Sequence, residues 1–207
     1  MVKVKICGIT NWEDAVASVA SGCDALGFVF YKKSPRYISP KNAKKIIGLL
    51  PKNILKVGIF VNAQEKSIKN IAKTSKLDML QFHGNESAQF CNKFKNYKII
   101  KAFRVKDKLD FKNIKQYRVF AYLFDTFVKS KIGGTGKKFD WKLLKQLKST
   151  KRPIFLSGGL NEKNVARAIK YLRPSWVDVS SSLESKPGKK DPKKIQRFIK
   201  AVKKSVL

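Results

Sequence analysis

Residues 1–22 read MVKVKICGITNWEDAVASVASG, and they hold one complete folding unit. The run VKVKICGI at 2–9 alternates apolar residues with lysine and reads as a half-buried strand. Asn11 then offers a capping side chain ahead of Trp12, and 12–22 carries the spacing of a helix. Parity divides the strand: Lys3, Lys5 and Cys7 share one face, Val4 and Ile6 the other. The fold turns on whether this unit repeats.

It recurs along the chain. Strand-like runs fall at 25–30 (ALGFVF), 55–61 (LKVGIFV), 79–84 (MLQFHG), 98–105 (KIIKAFRV), 119–126 (VFAYLFDT), 153–158 (PIFLSG) and 175–181 (SWVDVSS), making eight with the first. Helical patterns follow them near 12–22, 40–50, 64–75, 86–95, 107–117, 140–148, 161–172 and 191–204. Further start signals stand at Ser39 before Pro40, at Asn161, and at Asp191 before Pro192. Eight strand–helix units in 207 residues, without a linker rich in Pro, Gly or Ser, predict an α/β fold, a single-domain (β/α)8 TIM barrel over 1–207. A doubly wound open sheet is the alternative. The barrel is favoured because chemically capable residues recur at the C-terminal ends of strands, at Cys7, Asn62, His83, Arg104, Asp125, Ser157 and Ser180. That end of a barrel is its catalytic face. Gln81 and His83 share one face of the fourth strand, so a barrel brings His83 near Cys7.

Composition bounds the rest. A chain 43% hydrophobic, with apolar runs no longer than ones such as VGIF at 57–60, reads as a soluble globular protein with no membrane partner. No apolar segment of signal-peptide length follows Lys3 and Lys5, so export is not expected. Cys7, Cys23 and Cys91 are odd in number and widely spaced, which leaves no disulfide framework, and the single histidine leaves no zinc site. Reduced thiols in a cytoplasm fit. Against 46 Lys plus Arg stand 14 Asp plus Glu, a net charge of +32. Such an excess raises the question of nucleic acid. The lysines, however, recur in almost every helical segment, with no arginine-rich block, and read as a solvated outer surface. Like-charge repulsion over that surface predicts a monomer, with a homodimer as the alternative.

Several stretches carry possible chemistry, each beside a plainer reading. SGGL at 157–160 and SSSLE at 180–184 follow the last two strands, where barrels hold phosphate on backbone N–H groups; ordinary strand-to-helix turns look the same. KIGGTGKK at 131–138 fails as a nucleotide-binding loop, since Lys131 stands where glycine is required and Lys138 where serine or threonine is. It reads as a loop over the mouth, hinged at Gly133, Gly134 and Gly136, or as a plain surface loop. Asp125 ends an apolar strand, a setting that suits a general acid or a turn-capping aspartate. Asp178 is either a site residue or a carboxylate bonded to neighbouring backbone amides. Cys7 by itself reads as a small buried residue, but Lys5 on the same face and a phosphate-binding field favour a thiolate able to act as base or nucleophile. Cys23 and Cys91 lie in or at the ends of helical segments and read as structural.

Taken together, KICGIT at 5–10, GFVFYKKSPRYI at 27–38, QFHG at 81–84, LFDT at 123–126, GGTGKKFDW at 133–141, SGGLNEKNV at 157–165 and DVSSSLESKPGKKD at 178–191 resemble the phosphoribosylanthranilate isomerase family of tryptophan biosynthesis. The resemblance spans nearly the whole chain in order. It implies a (β/α)8 barrel without metal or organic cofactor, acting on a small phosphorylated substrate by an Amadori rearrangement. It implies that Asp125 is the general acid and Cys7 the general base. Arg36 would pair with the anthranilate carboxylate, His83, Asp178 and Gly134 would contact substrate, and Ser157, Gly158, Gly159, Ser180, Ser181 and Ser182 would hold the phosphate. One position departs from the family, which commonly has glycine where this chain has Ser182. A positive φ there would strain the loop; otherwise the hydroxyl adds a donor. A related barrel acting on another phosphoribosyl aminoaldose, the analogous histidine-pathway isomerase, is the nearest competitor, and Cys7 and Arg36 argue against it. A basic nucleic-acid-binding module explains the charge but not the strand-end residues.

Overall fold

Strand parity builds two layers. A computed structural model describes residues 1–105, 110–126 and 150–205. In it, β1 (Lys3–Cys7), β2 (Ala25–Val29), β3 (Leu55–Phe60), β4 (Met79–Phe82), β5 (Lys98–Val105), β6 (Ala121–Thr126), β7 (Ile154–Leu156) and β8 (Trp176–Val179) form a closed parallel barrel in sequence order. The open-sheet alternative is excluded by β8, which pairs with β7 on one side and with β1 on the other. Inward residues such as Ala25, Val57, Met79, Ile100, Leu123 and Trp176 fill the barrel. Outward ones, among them Val4, Ile6, Phe28, Phe82 and Val177, join helix residues such as Ala15, Ile68, Ile169 and Phe198 in the surrounding layer. Phe155 stacks on Trp176 at 4.8 Å and 9°, both among the inward residues.

The helices are α1 (Trp12–Ser21), α2 (Pro40–Gly48), α3 (Glu65–Thr74), α4 (Ala88–Cys91), α5 (Phe111–Gln116), α6 (Val165–Leu172) and α7 (Pro192–Lys204). Three predicted caps form: Asn11 accepts from the Asp14 N–H, Ser39 from Asn42, and Asp191 from Lys193 and Lys194. The helix expected from Asn161 begins later, at Val165, because Asn161 and Asn164 use their side chains on each other's turn. The pattern at 86–95 divides into α4 and a 3-10 turn at Asn92–Phe94. The candidate helix at 140–148 and the loop KIGGTGKK, with Gly134, lie outside the described residues. After β8 the chain adds a feature that the sequence did not announce. A 3-10 turn, Ser181–Leu183, runs into a short antiparallel hairpin of β9 (Glu184–Lys186) and β10 (Lys189–Lys190).

Asn62, which sequence reasoning placed among the chemically capable strand ends, serves structure. It holds φ 48°, a left-handed conformation that asparagine tolerates. Its N–H donates to Glu86 Oε1 at 2.8 Å while its Oδ1 accepts from the Asn85 N–H at 2.7 Å. Glu86 is in turn held by Lys101 Nζ at 2.9 Å, and that ammonium also donates to the Gly84 carbonyl at 2.7 Å. Both side chains of the pair are nearly inaccessible, 3% and 2% exposed, so neither charge is tolerable without the other. Replacing Lys101 by methionine is therefore expected to lower unfolding free energy by about 3–5 kcal/mol in urea titration. A loss below about 1 kcal/mol would mean that water reaches Glu86.

Candidate active site

Strand ends converge at the C-terminal mouth on a solvent-open cleft. Cys7 from β1, Arg36 from the loop after β2, His83 after β4, Asp125 from β6, Ser157 after β7 and Asp178 from β8 all line it. Asp125, Ser157, Asp178 and Ser180 also border a smaller adjoining hollow of about 290 Å³ that continues along Gly158, Gly159, Ser181 and Ser182. Apart from Gly134, every residue to which the resemblance gives a site role thus belongs to one connected depression, whereas Asn62 and Arg104 do not line it and Arg104 donates to Asn85 Oδ1 at 3.0 Å.

The thiol of Cys7 fits because β2 carries no side chain opposite it. A Cβ on Gly27 would stand 2.9 Å from Cys7 Sγ and 3.0 Å from Ile59 Cδ1. Beneath the thiol lies a wholly buried lysine, Lys5, whose Nζ donates to Asp178 Oδ1 at 2.7 Å across the β1–β8 pairing. The expected backbone-amide partners of Asp178 are thus replaced by an ammonium. Lys5 favours the thiolate, as expected from the sequence, but burial works against it. Burial pushes the Cys7 thiol up, the Lys5 charge pulls it down, and Asp178 opposes Lys5; burial prevails and the thiol lies above its ordinary range. Burial would push Lys5 down, but Asp178 and the Cys7 sulfur outweigh it and hold its ammonium above the usual value. Cys23 and Cys91 are buried, and desolvation drives their thiols to about 12 and about 11, as befits packing residues.

His83 Nε2 lies 3.3 Å from Asp125 Oδ2, close enough for an ion pair but not aligned as a hydrogen bond. Its Nδ1 is 2.8 Å from the Gln81 side-chain amide. With that amide as donor, the ring proton sits on Nε2 and faces Asp125. The sequence places Gln81 on the same face as His83, two residues earlier, but gives no sign of this role.

Two glycines shape the smaller hollow. Gly158 and Gly159 hold φ of 89° and 65°, a left-handed turn that favours glycine. Ser182 is not strained, since it lies in the Ser181–Leu183 3-10 turn and is absent from the positive-φ residues. Its hydroxyl donates to the Leu160 carbonyl at 2.5 Å and ties the β8 loop to the β7 loop. Two further site residues escaped sequence reasoning, Glu184 and Lys190. Glu184 receives Arg36 Nε and Nη2, each at 2.7 Å, and Lys190 Nζ at 2.9 Å. Lys190 also donates to the Ser180 carbonyl at 3.2 Å, and Ser180 Oγ to the Cys7 carbonyl at 3.0 Å. Their only sequence signal was an acid directly after the SSSL loop.

Comparison with known proteins agrees with this arrangement. A family model described as N-(5'-phosphoribosyl)anthranilate (PRA) isomerase matches residues 4–201. The N-(5'-phosphoribosyl)anthranilate isomerase of Geotalea uraniireducens is 49% identical, covering 98% of this chain and 99% of its own. A solved phosphoribosyl anthranilate isomerase in complex with reduced 1-(o-carboxyphenylamino)-1-deoxyribulose 5-phosphate superposes with TM-score 0.89 at 45% identity, over 99% of this chain and 100% of that one. Monomers generated from the dimeric enzyme of Thermotoga maritima give the same figures, TM-score 0.89, 45%, 99% and 100%.

The raised Cys7 thiol sets a pH dependence. Alkylation of Cys7 by iodoacetamide, located by mass spectrometry, is expected to quicken as pH climbs through and past the ordinary thiol range. A rate already maximal at neutral pH would mean a resting thiolate.

Proposed function

The chain belongs to the N-(5'-phosphoribosyl)anthranilate isomerase family and is an isomerase of that substrate in tryptophan biosynthesis; we propose that Asp125 and Cys7 carry its proton transfers. The observation that carries this reading is the shared cleft. An acid from β6 and a thiol from β1 face one depression, whose flank along the β7 and β8 loops suits a phosphate and whose other flank holds an arginine.

Asp125 gives its proton to the furanose ring oxygen, the C1′–O bond breaks, and the nitrogen lone pair closes a cationic Schiff base at C1′. That cation acidifies the neighbouring C2′–H. It also favours the thiolate of Cys7, which forms as the thiol proton leaves to water in the open cleft and then removes the C2′ proton to give an enolamine; Asp125 regains its proton from water, so no proton is gained or lost overall. Tautomerisation moves the enol proton to C1′ and leaves the ketone of 1-(o-carboxyphenylamino)-1-deoxyribulose 5-phosphate. Atoms are conserved throughout, and one acid and one base suffice. Arg36 receives the anthranilate carboxylate, and Ser157, Gly158, Gly159 and Ser180 to Ser182 hold the phosphate. His83, with its ring 3.3 Å from Asp125, orients the acid, and Asp178 keeps Lys5 charged beside the thiol. The whole of 1–207 works as one catalytic barrel in the cytoplasm, without nucleic acid or membrane partners; surface charge favours a monomer, and the dimeric form of the Thermotoga maritima relative supports a homodimer as the alternative. Among the described residues no helix is long and apolar enough to cross a membrane, and no cluster of three or more His, Cys, Asp or Glu is placed to hold a metal.

A direct assay tests the reading: freshly generated phosphoribosylanthranilate is added and its fluorescence followed. Cys7→Ser and Asp125→Asn should each lose roughly a thousandfold or more in kcat with circular dichroism unchanged. Near-normal rates in either variant would reassign that proton transfer. Gly27→Ala, whose new methyl would collide with the sulfur, should cost about a hundredfold. Wild-type turnover in that variant would show that the thiol's position is immaterial.

A further inference from the structure

A guanidinium has two edges that can grip a carboxylate, and the structure uses one of them already. Arg36 presents Nε and Nη2 to the two oxygens of Glu184, each at 2.7 Å, a planar two-point contact. Nη1 has no protein acceptor among the described residues, and Arg36 lines the cleft. Five other contacts fix this arrangement. Lys190, fully buried at its side chain, donates to Glu184 Oε1 at 2.9 Å, and Lys194 Nζ donates to the Glu184 carbonyl at 2.7 Å. The stem of Arg36 lies against Gly8, the residue after Cys7: a Cβ there would come within 2.6 Å of Arg36 Cδ. At the hairpin tip, the Gly188 carbonyl accepts from Thr10 Oγ1 at 2.5 Å, and Gly188 itself lies so near Pro35 that a Cβ would meet its carbonyl oxygen at 2.8 Å.

We propose that Glu184, braced by Lys190 on the β9–β10 hairpin, is the positioning residue for carboxylate recognition: it locks Arg36 so that its remaining N–H edge faces the cleft. The inference rests on the reading of Arg36 as the group that meets the substrate carboxylate. A free arginine would have to surrender the freedom of a long side chain on each binding event, whereas this one is already ordered. The charges also favour a ligand carboxylate, since Arg36, Lys190 and Lys194 set three positive charges against the one negative charge of Glu184. Both Glu184 oxygens are engaged by cations, so the acid orders the arginine without presenting a bare charge to the incoming anion. Because Arg36 packs on the residue after Cys7, the same clamp fixes the aromatic end of the substrate relative to the base. Burial pushes the Glu184 carboxyl up, but the Arg36 hydrogen bonds and the Lys190 charge outweigh it and hold it below the ordinary carboxylate range, so the clamp persists at neutral pH.

The test is steady-state kinetics on Glu184→Gln, Glu184→Asp, Arg36→Met and the Arg36→Met/Glu184→Gln double variant, with thermal unfolding recorded for each. Glu184→Gln should raise KM about tenfold or more with kcat within about threefold, and the double variant should be no worse than Arg36→Met alone, because Glu184 acts only through the arginine. Glu184→Asp keeps the charge that Lys190 needs but is too short to meet both guanidinium nitrogens, so a raised KM at unchanged melting temperature supports the clamp even where Glu184→Gln does not fold. A KM within twofold of wild type in folded Glu184→Gln or Glu184→Asp, or losses that multiply in the double variant, would overturn it. A wild-type KM in Arg36→Met would instead remove the premise that Arg36 meets the carboxylate.

Discussion

The seam where β8 closes onto β1 is the constraint on which the mouth of the barrel depends. Lys5 and Asp178 are register partners there, and their side chains meet at 2.7 Å with 0% and 5% exposure. An ammonium so deep in a barrel is costly unless its counter-charge stands at one position, so the pair acts more on register than on net stability. A slip of one residue would send Asp178 to the outer layer and leave Lys5 alone inside. Correct closure also sets Ser180 against the Cys7 carbonyl and lets Lys190 reach both Ser180 and Glu184. The carboxylate clamp, the thiol and the hollow beside the last two loops are thus all consequences of one strand pairing.

Elements with strong alternation were legible before any coordinates. The first strand showed both of its faces in five residues, and of the set Lys3, Lys5 and Cys7 the barrel encloses Lys5 and Cys7 and leaves Lys3 exposed. Capping residues directly before their helices, such as Asn11 and Asp191, also read correctly. What escaped was long-range or too short to carry a period. Strands β9 and β10 have three and two residues, too few for alternation to register, and the Glu184–Arg36 contact spans 148 positions. Asn161 misled because two asparagines three residues apart offer equivalent turn chemistry, and the second stands directly before the helix. The protonation state of Cys7 escaped for a different reason. Lys5 was visible as a neighbour, but the depth of burial that outweighs it belongs to the assembled barrel.

Charge is distributed with the same economy. Acids are scarce in this chain, 14 against 46 bases, yet Asp14, Glu86, Asp125, Asp178 and Glu184 are buried. Asp14 accepts the Lys190 N–H, Glu86 meets Lys101, Asp178 meets Lys5 and Glu184 meets Arg36 and Lys190. Acids are used where a cation or a backbone N–H must be oriented. The abundant lysines are mostly left to the exterior, where they influence solubility and the approach of anions but not the fold.

The β9–β10 hairpin joins the two ends of the polypeptide around the reacting centre, and this has a consequence for how the protein comes into being. Lys5, Cys7 and Thr10 leave the ribosome long before Asp178, Ser180 and Gly188, which bond to them. A nascent chain that has built most of its strands still lacks the counter-charge for Lys5 and the brace for Arg36. Competence therefore arrives late and all at once, with the segment beyond residue 175, and a chain cut short before it would be barrel-like in sequence yet inert.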